Sequence, residues 1–96
     1  MHTVIEHMMC LYDEGLDELM GAQNYAKRAH KAEGADEKMM YQNMAKQELD
    51  HAFMLMKAGD KLFAGTDAAD SLHMVWRSLR EHLISWKTKI EHMISG

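Results

Sequence analysis

Glu48 and His51 stand three residues apart in the run Gln47-Glu48-Leu49-Asp50-His51. On a helix this spacing puts both side chains on one face, where a carboxylate and an imidazole can grip one metal ion. Glu18, thirty residues earlier, is the natural third donor. A Glu-x-x-His pair says little alone. With eight Glu and seven His in the chain, roughly 0.6 such pairs arise by composition. What raises its weight is its setting. Val4, Met8, Leu11, Gly15, Glu18, Ala22, Tyr25 and Ala29 follow alternating steps of four and three, the seam of an amphipathic helix. Tyr41, Met44, Glu48, His51, Leu55, Ala58 and Leu62 form a second apolar stripe. A carboxylate buried in such a seam without a partner costs several kcal/mol or takes up a proton. Three ionisable groups in facing seams therefore call for a compensating charge, and a metal ion supplies it. A metal-free buried polar network is the competing reading.

The elements that position these donors are helical. Proline is absent, and Met, Ala, Leu, Glu and Lys dominate, which favours helix. Helix 1 is expected over about Thr3–Lys31, with a second apolar stripe of Ile5, Met9, Tyr12, Leu16, Leu19 and Ala26 beside the seam. Small Gly15 and Ala22 flank Glu18 and let helices approach around it. In the break Glu33-Gly34-Ala35-Asp36, Gly34 is expected to end helix 1 in a left-handed conformation and Asp36 to cap helix 2. Helix 2 follows over about Glu37–Phe63. Thr66 or Asp67 is expected to cap helix 3, over about Asp67–Ile94. Leu72, Val75, Trp76, Leu79, Leu83, Trp86, Ile90 and Met93 make its apolar stripe, with Arg77, Arg80, Glu81, Lys87 and Glu91 on a solvated face. The fold expected is all-α: one domain over residues 1–96, an antiparallel hairpin plus a third, C-terminal helix.

Register and donor count sharpen the metal reading. Glu18 lies sixteen residues before Gly34 and Glu48 fourteen after it. At about 1.5 Å per residue an antiparallel hairpin brings them to nearly the same height. Tyr25 and Tyr41 fall one heptad nearer the turn, where they are expected to hydrogen-bond the ligating carboxylates from behind. Di-metal sites in four-helix bundles take a Glu from each of two helices and a Glu-x-x-His from each of two others. One chain offers one of each, so two chains about a two-fold axis are needed. Glu and His donors suit iron, manganese or zinc, and calcium is a further candidate ion.

Composition narrows the rest. No eighteen-residue apolar run is present, so no membrane span is expected. The N-terminus lacks the pattern of a signal peptide, and the expected location is the cytoplasm, or a protein compartment within it. A net charge of -4 argues against a nucleic-acid partner. Cys10, the single cysteine, excludes an intrachain disulfide and reads as a small buried residue. The eleven Met are spread along the chain and read as core filling rather than copper ligands. His2, His7, His30, His82 and His92 read as surface residues. Asp70 and His73 also stand three apart, but Asp70 reads first as an acid favoured by the helix dipole. Trp76 and Trp86 read as packing anchors. Asp13, Glu14 and Asp17 form an acidic stretch that could funnel cations, or simply a solvated face.

Across about residues 13–57 the chain resembles the encapsulated ferritin family, half-ferritins that sit inside encapsulin compartments. Asp17-Glu18-Leu19, with Tyr25 and Arg28, is similar to the family's first-helix pattern. Glu48-Leu49-Asp50-His51-Ala52-Phe53-Met54 is similar to its second-helix pattern, at a similar separation. The resemblance implies a hairpin that pairs into a ferritin-like four-helix bundle and oxidises Fe(II) to Fe(III) at a di-iron site. Glu18, Glu48 and His51 would be the ligands, with Tyr25 nearby and Asp17 at an outer metal-access site. Met20 stands where a second access carboxylate is expected, and Asn24 replaces an aromatic residue. The chain ends Ile94-Ser95-Gly96, so no encapsulin-targeting tail is expected, and helix 3 is longer than the family's usual C-terminal helix. The leading expectation is a ferroxidase shared across a homodimer, serving iron storage or detoxification. The alternative is a non-catalytic helical dimer or interaction module, with a structural metal or none. A rubrerythrin-like peroxide reductase fits less well, since a full four-helix bundle and a cysteine-rich iron site are both missing from the sequence.

Overall fold

The computed structural model describes residues 3–63 and 70–95. Among them all regular structure is helical: α1 (Val4–Lys31), α2 (Ala35–Phe63) and α3 (Asp70–Ser95). Thr3 caps α1, its hydroxyl accepting from the Glu6 amide at 3.1 Å, a bond worth about 1 kcal/mol. The expected caps Thr66 and Asp67 lie outside the described residues.

The first turn differs from expectation. Ala32 breaks α1 in an extended conformation (φ -67°, ψ 134°) while its amide donates back to Ala29. Gly34 is not left-handed. Its carbonyl instead accepts from the Lys38 amide at 3.0 Å and opens α2 two residues early. Asp36 and Glu37 thus sit inside the first turn, where they complement the helix dipole rather than cap it.

Contacts fix the directions. His7 meets Phe63, Tyr25 meets Tyr41, and Glu18 meets His51, so α1 and α2 are antiparallel. Trp76 pairs with Asp60 on α2, whereas Trp86 reaches Gln23 and His30 reaches Met93. Hence α3 runs antiparallel to α2 and parallel to α1. One core cluster joins Leu19, Ala22 and Ala26 to Ala45, Leu49, Ala52 and Met56, closed by Leu83 and Ile90 of α3. A second holds Met8, Leu11, Phe63 and Trp76. Trp76 lies against Gly59, where a Cβ would run into its ring.

The core is rotated from the expected seams. On α2 the buried residues are Ala45, Leu49, Ala52, Met56, Gly59 and Phe63, each one position after a residue of the expected stripe from Met44 to Leu62. One position is a rotation of about 100°. On α1, Leu19 and Ala26 replace Glu18 and Tyr25 in the buried set. The cause is α3, which packs on one side of the hairpin and draws the centre of the core towards itself. The opposite flank is left open. Val4 and Leu62, expected in the seams, are 53% and 51% exposed. Val75 of the α3 stripe is also exposed, while Trp76, Leu83 and Ile90 are buried.

The result is a thin slab, 53 × 25 × 14 Å, with a radius of gyration of 15.6 Å. A compact chain of about 100 residues has about 13 Å. Its accessible surface is 6517 Å², where a monomer of this mass exposes about 5,700 Å². Among the described residues no helix is long and apolar enough to cross a membrane.

Candidate metal centre

Glu18 comes from the middle of α1, and Glu48 and His51 from the middle of α2. The hairpin register sets them at one height, and the three-residue spacing turns Glu48 and His51 to the same flank. One donor atom from each lies within 4.8 Å of the other two. His51 Nδ1 is 3.5 Å from Glu18 Oε2. Among the described residues this is the one group of three or more acidic, histidine or cysteine side chains placed to hold an ion.

The setting corrects the assumption of deep burial. No charged or polar residue is buried among the described residues. The Glu18 side chain is 31% exposed and His51 58%. The rotation that buries Leu19 and Leu49 leaves their neighbours Glu18 and Glu48 at the rim of the core. The three groups therefore face the uncovered flank rather than a sealed interior, and solvent shares the task of compensating them. Glu48 nonetheless feels its surroundings. Its carboxyl is held above the ordinary glutamate range, first by a hydrogen bond with Glu18, then by burial and by repulsion from the Glu18 charge, with His51 pulling the other way.

The donor set fits a borderline divalent transition metal. Two carboxylates and an imidazole suit iron, manganese or zinc, whereas calcium takes oxygen donors and would leave His51 unused. Two donors on one ion at about 2.1 Å each can stand at most about 4.2 Å apart. The three donor atoms, all within 4.8 Å of one another, stand near that limit. Three donors leave further coordination positions open.

Glu14 and Asp17 share an open cleft of about 490 Å³ with Glu18, His51, Met54 and Leu55, so the acidic stretch of α1 does reach the mouth of the site. Tyr25 and Tyr41 do not reach the carboxylates. Their rings stack on each other, centroids 6.3 Å apart, and the Arg28 guanidinium lies 5.8 Å from the Tyr25 ring. The two rings meet across the hairpin instead. Gly15 does not border the site either; its open side receives Leu83 of α3. Gly21 does, with Glu48 lying over it, and nothing local in the sequence marked it. Cys10 is exposed rather than buried. The Asp70 side chain lies outside the described residues, and His73, half-buried, has an unpartnered Nδ1.

No family model matches the sequence, and no curated protein or solved structure matches it.

Proposed function

We propose that this chain is half of a ferritin-like ferroxidase, completed by a second copy across the open flank of the hairpin. The observation that supports it most is the convergence of Glu18, Glu48 and His51 within 4.8 Å on the flank that α3 leaves uncovered. Two copies related by a two-fold axis would set four helices together, with each α3 on the outside. They would pool four carboxylates and two imidazoles, the donor set of a di-metal carboxylate site. The resemblance to encapsulated ferritins at Asp17-Glu18-Leu19 and Glu48-Leu49-Asp50-His51 points the same way.

The substrate would be Fe(II), two ions per dimer. Each Fe(II) gives up one electron, and dioxygen takes both with two protons and leaves as hydrogen peroxide. The carboxylates of Glu18 and Glu48 favour Fe(III) over Fe(II) by adding negative charge beside it. His51 supplies the nitrogen donor. Glu14 and Asp17 at the mouth draw cations in. A dimer has no cavity for mineral, so storage would fall to a larger assembly or a shell.

Oxygen uptake after anaerobic loading with Fe(II) tests this, read together with native mass. The expected result is about one iron per chain in a dimer, brisk uptake on adding oxygen, and loss of both in Glu48→Ala. A dimer that binds metal but consumes no oxygen above the buffer rate would leave the non-catalytic reading, a structural metal dimer. A monomer that binds no metal would overturn the site altogether.

A further inference from the structure

Gly21 stands in the middle of α1, one turn after Glu18, with no backbone reason to be glycine. Its φ is not in the left-handed region, and glycine inside a helix is less favourable than alanine. A Cβ at this position would lie 3.1 Å from Glu48 Oε2, 3.5 Å from its Cδ and 3.7 Å from its Cγ. The three nearest atoms thus all belong to one metal-ligand candidate, and none to the α2 backbone. Close packing of the two helices therefore does not explain the glycine. We infer that Gly21 is a positioning residue for the metal centre: its missing side chain is the space through which Glu48 reaches across to Glu18. The inference rests on the site proposed above and adds the residue that shapes it.

Gly15, six positions earlier on the same helix, supplies the contrast. A Cβ there would come within 3.1 Å of Leu83 Cδ1 and 3.3 Å of Cδ2. The two crowding distances match, but the neighbours do not. Leu83 is fully buried and cannot retreat. Glu48 ends in a half-exposed carboxylate that can turn aside by a few tenths of an ångström. Alanine at 21 therefore keeps its gain in helix propensity and moves a ligand. Metal sites tolerate about 0.2 Å in donor distance, so the shift falls on binding rather than on folding.

The test compares wild type, Gly21→Ala and Gly15→Ala, by thermal melting without metal and by titration with Co(II), followed by visible absorption. Gly21→Ala is expected to melt higher and to bind Co(II) about ten- to a hundredfold more weakly. Gly15→Ala is expected to melt lower with its Co(II) affinity intact. Gly21→Ala binding Co(II) as tightly as wild type overturns the inference and leaves the site standing. Wild type that takes up no Co(II) overturns both. A metal-free cycle checks the contact itself: Gly21→Ala should raise the melting temperature more in a Glu48→Ala background than in wild type, and equal gains overturn the inference.

Discussion

The hairpin of α1 and α2 has two flanks, and they are built on opposite principles. The flank under α3 is dry and closed. Leu83, Ile90 and Trp76 fill it, and polar groups come only at its edge, where Trp76 and Arg80 donate to Asp60 at 2.9 Å each and Trp86 donates to Gln23 at 2.7 Å. The other flank is open and carries Glu18, Glu48 and His51 beside the exposed Met54, with the exposed Val4 and Leu62 farther along the hairpin. The closed flank fixes the fold through burial, which is strong and indifferent to solutes. The open flank has apolar surface without a cover and charges without full partners. A second copy and a metal would supply both. The difference shows how one hairpin can keep stability and chemistry on separate faces, so that changes to one need not disturb the other.

Removing Trp76 puts that separation to its hardest trial. Trp76→Ala deletes a buried ring that touches Met8, Leu11 and Phe63 and leaves Asp60 without one of its donors. A loss of about 3–5 kcal/mol is expected, read as a lower urea midpoint. The folded fraction should still bind Co(II) like wild type, because the donors come from α1 and α2 and their cleft is lined by those two helices. A variant that loses metal affinity in step with stability would show that the two flanks are coupled.

Much of this division was legible in the sequence, and one part of it was not. The helices and the break near Gly34 follow from periodicity and punctuation, which are local. The donor trio follows from a three-residue spacing and from counting outward from the turn, also local. The centre of the core was displaced because adjacent stripes on α2 are almost equally apolar: Met44 beside Ala45, Leu55 beside Met56, Leu62 beside Phe63. Periodicity defines such a band but not its middle. The middle depends on where α3 packs, which is a tertiary matter. For the same reason the donors were expected in the interior and stand at its rim. Gly21 was silent because its meaning lies in a side chain that arrives from another helix.

The open flank can be spoiled far from the donors. Val4 and Leu62 sit at the end of the hairpin away from the turn, about 20 Å of helix from Glu18. Val4→Glu with Leu62→Glu should leave metal-free stability within about 0.5 kcal/mol for each exposed site. Native mass after Fe(II) loading should shift from dimer to monomer. A dimer that survives both acids would place the second copy elsewhere and remove the reason for calling this flank an interface.

The smallest expected effect concerns pH, and it separates the flanks by charge alone. Glu48 holds its proton more tightly when folded than when unfolded, chiefly through Glu18. Stability from that proton is complete below the ordinary glutamate value, about 4.3, and is lost as pH rises through the raised folded value. Metal-free protein should therefore melt progressively lower across that window. Glu48→Gln cannot titrate at this position and should lack that part of the slope, so the difference between the two melting curves reports the Glu18–Glu48 pair. A divalent metal must displace the same proton, so its affinity should climb with pH as the metal-free stability falls. Leu83→Ala removes only apolar packing from the closed flank and should shift the whole curve without changing its shape. Parallel curves for wild type and Glu48→Gln would mean that Glu18 and Glu48 do not share a proton and that the open flank is less prepared for a cation than its geometry implies.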